Sequence, residues 1–288
     1  MNASLDAPDW FRWQLDLPLV LMVAVCALLY SWFLFWQYQY SPYRQRLHLW
    51  RPILFLSGLI GLICLYCGPL QAMGNPYLFS ARMLQHILLI YAIPCLLLAG
   101  IPEWSLLASY DRYPVFYQYL KGLSQPLSAC LLFNGVFSAW HLPMLYELSL
   151  KHPAFHYLQI ITLLATALLM WLPLINPLRS LQSPLPRQIF YVVQHMIAQV
   201  PLFAILTLSG YALYPTHALS PRVLLSAAYG DQQIGGWMLK ILSTFIFSAI
   251  FIELLLRWHR NERLRDQIEN ATAYENHRLA QQSPQRFG

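Results

Sequence analysis

Residues 17–38 read LPLVLMVAVCALLYSWFLFWQY, twenty-two residues without one charged side chain. A helix rising 1.5 Å per residue covers the roughly 30 Å hydrocarbon core of a bilayer in about 20 residues. Six further apolar runs follow, at Ile53–Met73, Met83–Ile101, Leu127–Tyr146, Ala154–Ile175, Gln188–Ala212 and Ile234–Leu256. In lipid, backbone amides must be satisfied within their own segment unless a barrel closes, and the polar alternation of barrel strands is missing from these runs. Composition points the same way, since 58% hydrophobic and 10% charged residues contrast with roughly a quarter charged in soluble domains. The expected fold is all-α: a polytopic membrane protein whose bundle of seven transmembrane helices fills residues 17–256, between an extracytoplasmic segment 1–16 and a tail 257–288.

Basic residues resist translocation, so their distribution orients the bundle. One set of connections carries Arg12, Arg82, Lys151 and Arg222, whereas the other carries thirteen Lys and Arg, six of them in the tail. This asymmetry places the N-terminus outside and the C-terminus in the cytoplasm. Asp6, Asp9 and Asp16 against Arg12 do not make the basic start of a cleavable signal peptide, and the segment is expected to stay attached. The tail, with both signs of charge, reads as a solvated helix that frays, and Glu253 should pair with Arg257 at i+4. The net charge of +6 is scattered between apolar runs, which suits a membrane surface and leaves no nucleic-acid footprint. Pro94 and Pro201 lie inside spans and should bend them.

Polar side chains inside a span are costly and need a partner or a purpose. Arg82, Met83, Gln85 and His86 open the third span; Trp140, His141, Met144 and Tyr146 close the fourth; His152 and His156 open the fifth; Asp231 to Gly236 open the seventh. All fall at the outer level, and three imidazoles with a carboxylate are expected to converge there. Met83 with His86, and His141 with Met144, share helix faces by their spacing of three. Thioether and imidazole together suit Cu(I) better than zinc. Against this stands the ordinary reading of interfacial histidines as hydrogen-bond formers. Asp231 reads first as an N-cap of the seventh helix and second as a carboxylate supporting a metal, while Gly235 and Gly236 allow close helix approach. Lys240 is placed to snorkel toward Asp231. Cys64 and Cys67 read as packing residues, and Gln194, His195 and Gln199 as polar glue between helices, with haem ligation the sharper alternative.

Taken together, Leu78 to Ala81 leading into Met83–His86, Pro94, Gly100 to Pro102, Trp140 to Pro143 with Tyr146, His156 with Trp171 and Pro173, and Asp231 to Gly236 resemble the CtaG family of cytochrome c oxidase assembly factors. The resemblance extends over about Leu17 to Trp258. It implies a non-enzymatic, multi-pass protein of the bacterial plasma membrane that helps build a haem-copper oxidase, whose copper centres lie toward the outer side. It further implies oxidase subunits as partners, a copper donor protein, and transient copper. The family pattern has histidines where this chain has Arg82 and Ile160, and neither of these can ligate a metal. His86, His141, His156 and Asp231 with Gln232 carry over.

The expected site is therefore His86, His141 and His156 with Met83 and Met144 as soft ligands and Asp231 in support. A scaffold that grips an oxidase subunit without metal is the competing reading. A retinal protein built on Lys240 is disfavoured, because spans one to six lack an interior carboxylate counter-ion.

Overall fold

In a computed structural model of the chain, residues 13–42, 48–75, 77–178, 182–220 and 228–282 are described, without the side chains of Ala108 and residues 279–282. The helices are α1 (Leu17–Tyr40), α2 (Trp50–Cys67), α3 (Pro69–Gly74), α4 (Phe79–Ile87), α5 (Ile93–Ala99), α6 (Glu103–Arg112), α7 (Pro114–Leu123) and α8 (Pro126–Trp140). They continue with α9 (Pro143–Lys151), α10 (Pro153–Trp171), α11 (Leu185–Ala198), α12 (Val200–Leu208), α13 (Pro215–Leu219) and α14 (Ala228–Gln282). A π-turn, Leu88–Ala92, joins α4 to α5, and no strand occurs among the described residues. Among the described residues six helical stretches are long and apolar enough to cross a bilayer, and α8 with α9 makes a seventh if that pair, bent by 69°, counts as one span.

Prolines explain where the expected spans break. Each removes one N–H and strands the carbonyl four residues earlier. Pro94 strands the carbonyl of Ile90, and the indole of Trp171 donates to it at 2.8 Å. Pro69 strands Leu65, whose carbonyl accepts from Gln85 Nε2 at 2.8 Å. Thus the second span ends at Cys67, short of Met73, and Gly68 starts a separate turn. Pro201 falls just after the break at Gln199, whose own N–H turns back to Ile197. The regular α-helix is thus interrupted beside both prolines, by the π-turn before Pro94 and by the break at Gln199 before Pro201.

The fourth span departs most from expectation. Its 15-residue helix α8 measures about 22 Å, less than the hydrocarbon thickness. Pro143 drives Leu142 into extended backbone (φ −64°, ψ 133°), as a proline does to its predecessor. The chain turns at His141 and restarts as α9 in a new direction, so Met144 and Tyr146 do not continue the α8 axis.

The start of α1 marks one end of the bundle, and several ties gather there. Asp16 caps α1 through Leu19 N at 3.0 Å and accepts the Tyr157 hydroxyl of α10 at 2.8 Å. Gln14 N donates to Cys67 O at the end of α2. α4 with its π-turn and α5 is the most enclosed span and packs most extensively on α14. That contact needs Gly235, because a Cβ there would lie 2.7 Å from the Phe79 ring and 2.9 Å from Met83 Cγ. Gly236 meets α12 in the same way, 2.8 Å from Thr207 Cγ2. Helix α14 runs 55 residues, about 80 Å, so the expected tail is its direct continuation with exposed side chains. Glu253 and Arg257 pair at 2.7 Å as expected.

Trp171→Phe keeps the ring but leaves the Ile90 carbonyl bare, and should destabilise the detergent-solubilised protein by about 1–3 kcal/mol. Gly235→Ala should cost about 1–3 kcal/mol by overpacking, whereas Gly135→Ala, where a Cβ meets nothing within 4 Å, should be neutral or stabilising. Unfolding curves of the three variants check this; equal effects of the two glycine changes would contradict the packing account.

Candidate functional site

Asp231 lies in the first turn of α14, yet its carboxylate serves another helix. It accepts from Phe79 N at 2.6 Å, from Ser80 N at 3.4 Å and from the Ser80 hydroxyl. Leu78, the residue before α4, has no side-chain acceptor, so the first N–H groups of α4 would otherwise be buried orphans. A carboxylate is the best acceptor for them, because it also faces the positive end of the helix dipole. The expected cap is therefore real in chemistry but is supplied across the interface. Gln232 accepts from Leu213 N at 2.7 Å and donates to Leu206 O at 3.3 Å, while Gln233 donates to Thr207 O at 3.0 Å. Three successive side chains thus latch α14 to α4, α12 and the segment before α13. Lys240 does not reach toward Asp231; its ammonium donates to Met196 O at 3.2 Å.

His86 lies two turns into α4, and His141 ends α8. Their rings stand edge to face with centres 5.4 Å apart, over Phe137. His141 Nδ1 is 2.7 Å from the Phe137 carbonyl; a carbonyl only accepts, so Nδ1 carries the proton and Nε2 presents its lone pair. That Nε2 and the Nδ1 of His86 are both buried without a hydrogen-bond partner. Tyr214 fixes the turn from above by donating to His141 O at 2.8 Å, and burial pushes its phenol up. Met83, fully buried one turn before His86, packs beneath Gly235.

His156 faces elsewhere. Its Nδ1 lies 3.4 Å from Arg82 Nη2 and its ring stands edge-on to Tyr66. Arg82 Nη2 donates to Gln159 Oε1 at 2.7 Å. Among the described residues no three His, Cys, Asp or Glu side chains form a group that could hold a metal. The expected pocket of three imidazoles and a carboxylate is thus divided: His86 faces His141, His156 faces Arg82, and Asp231 is committed to α4. Met144 is 76% exposed, turned outward by the bend at Pro143. Ile160 is buried.

A second buried polar chain lies deeper. Asn134 Nδ2 is 3.3 Å from His195 Nδ1, and Gln199 Nε2 lies 3.0 Å from His195 Nε2 and donates to Tyr91 at 2.9 Å. Each ring nitrogen of His195 lies beside a side-chain amide; a neutral imidazole accepts at only one of them, so one of the two contacts is a hydrogen bond that ties helices together. Cys64 is exposed and Cys67 buried, both free thiols.

The sequence reading missed Gln159, His217 and Glu147. Gln159 stands three residues after His156, a spacing that signals a shared face. His217 meets the Tyr146 hydroxyl through Nε2 at 2.8 Å, and Glu147 accepts from Thr216 N at 3.0 Å while pairing with Lys151. These bonds tie α9 to α13, two short helices that hydropathy does not reveal.

A sequence profile of the family described as cytochrome c oxidase caa3 assembly factor (Caa3_CtaG) matches residues 28–261. No curated protein and no solved structure matches the chain.

Asp231→Ala removes acceptors from three donors at once, and unfolding measurements should show a loss of about 2–4 kcal/mol, above the roughly 1 kcal/mol of an ordinary cap. A loss within 0.5 kcal/mol, as at ordinary surface positions, would show that the latch is not structural.

Proposed function

Because the chain belongs to the cytochrome c oxidase caa3 assembly factors, we propose that it carries one Cu(I) ion as cargo between His86 and His141 while the oxidase is built. The observation that carries this reading is the pair of buried imidazoles with ring centres 5.4 Å apart, each with a nitrogen that no other group engages. Two imidazoles sharing one ion at about 2 Å per nitrogen have ring centres about 6 Å apart or somewhat less when bent, a separation close to that of His86 and His141. Met83 offers a thioether on the same face of α4 as His86, and soft or borderline donors of low number favour Cu(I).

Cargo has to leave as well as bind. Arg82 is within electrostatic reach of His86, His141 and His156, and its fixed positive charge opposes a cation. Two ligands beside a guanidinium make a holding site and not a permanent one. His156 and Asp231 act as positioning residues in this reading, and Met144 has no part.

The charge asymmetry of the connections orients the start of α1 outward across the bacterial plasma membrane, which puts His86 and His141 nearer the side of the oxidase copper centres. A copper donor protein would then load the site from outside, and an oxidase subunit would receive the ion without chemical turnover. Exposed apolar faces of α1 and α14 are available to that subunit within the bilayer.

Replacing both His86 and His141 by Ala should bring oxidase copper content in isolated membranes down to that of cells lacking the protein, whereas Met144→Ala should leave it unchanged. In titrations of purified protein, either single histidine variant should bind Cu(I) more weakly by at least the roughly 10–100-fold known for loss of a ligand's hydrogen-bond partner. Wild-type affinity in the double variant would favour a metal-free scaffold.

A further inference from the structure

Arg82 points to an anion. The side chain is 0% exposed on a helix that crosses the bilayer. Guanidinium does not lose its proton, so the charge persists wherever the side chain is placed. No carboxylate of the described residues is ion-paired with it. Asp231, on the neighbouring helix, spends both oxygens on Phe79 and Ser80. The hydrogen bonds that Arg82 does make, at 2.7 Å to Gln159 Oε1 and at 3.4 Å to His156 Nδ1, both go to neutral acceptors through Nη2.

The remaining donors around this charge are unpartnered. Arg82 Nε and Nη1 are buried without an acceptor, as are Gln159 Nε2 and His156 Nε2. Because His156 Nδ1 faces a guanidinium, which only donates, the ring proton resides on Nε2 and this atom too is a donor. Three side chains from two helices, joined through Arg82, therefore offer unfilled N–H groups and one net positive charge. Asp16, the carboxylate whose charge reaches His156, accepts from Leu19 N and Tyr157 and forms no ion pair with Arg82; water could fill the hydrogen bonds but would leave the guanidinium without a paired anion, which is unfavourable inside a membrane protein.

We propose that Arg82, Gln159 and His156 form a buried binding site for a small monovalent anion of the chloride class. One negative charge matches the one guanidinium, and the unfilled groups are all donors, as an acceptor-only ligand requires. The site uses none of the nitrogens assigned to the cargo, although an anion on Arg82 would offset the charge that acts on His86 and His141.

The test uses purified full-length protein, free of copper, in detergent with gluconate as the sole anion, and chloride replacing gluconate at constant ionic strength. Wild type should show a saturable rise in Tm of about 2–6 °C at ten times the dissociation constant, and equilibrium dialysis with radioactive chloride should retain one ion per chain. Arg82→Gln should lose both responses. Gln159→Glu places a carboxylate against the guanidinium, so it should raise Tm in gluconate and abolish the response to chloride. The proposal is overturned if wild type retains no chloride, or if its Tm rises no more than that of Gln159→Glu. Either result leaves Cu(I) binding by His86 and His141 to be judged on its own titration.

Discussion

The carboxylate of Asp231 joins the first turn of α14 to the first turn of α4, and the polar level of the bundle depends on that contact. Hydrocarbon offers no acceptor for the opening N–H groups of α4, so the neighbouring helix supplies one. Glycine at 235 lets the two backbones come close enough for the bond to form, and it brings Met83 under α14. Gln232 then holds Leu213, the next residue Tyr214 holds the carbonyl of His141, and His141 faces His86. The latch thus reaches His141 through hydrogen bonds and one step of backbone, and His86 through ring packing.

The same constraint governs the breaks in the spans. A proline in a membrane helix is tolerated when another group takes over the stranded carbonyl. Trp171 does so for Ile90, and Gln85 for Leu65. Each of these side chains therefore ties two helices together while repairing a third group's deficit. At Pro143 the break is complete. It gives His141 the end position of α8, where its Nδ1 can turn back to Phe137 O and leave Nε2 bare. Histidine in the middle of a continuous helix would not have that freedom, because the backbone carbonyls there are already taken.

Hydropathy was enough to read the helical membrane fold and the level at which His86, His141, His156 and Asp231 lie, because the cost of exposing amides and charges to lipid acts on each segment separately. Partner choice was not legible. Asp231 in a first turn looks like a cap for its own helix, and only docking of α14 on α4 shows which N–H groups it reaches. Met144 shares a helix face with His141 by spacing, but the 69° bend at Pro143 voids that periodicity. Arg82 in a family histidine position was visible as a departure; that its guanidinium bonds Gln159 and faces His156 was not, although spacing alone could have singled out Gln159.

The proposed cargo site requires His86 and His141 to share one ion. X-ray absorption at the copper edge of protein loaded with one equivalent of Cu(I) tests this most directly. It should show low-coordinate Cu(I) with two imidazole nitrogens and at most one sulfur. A spectrum without imidazole scattering, or one with sulfur as the sole type of ligand, would contradict it.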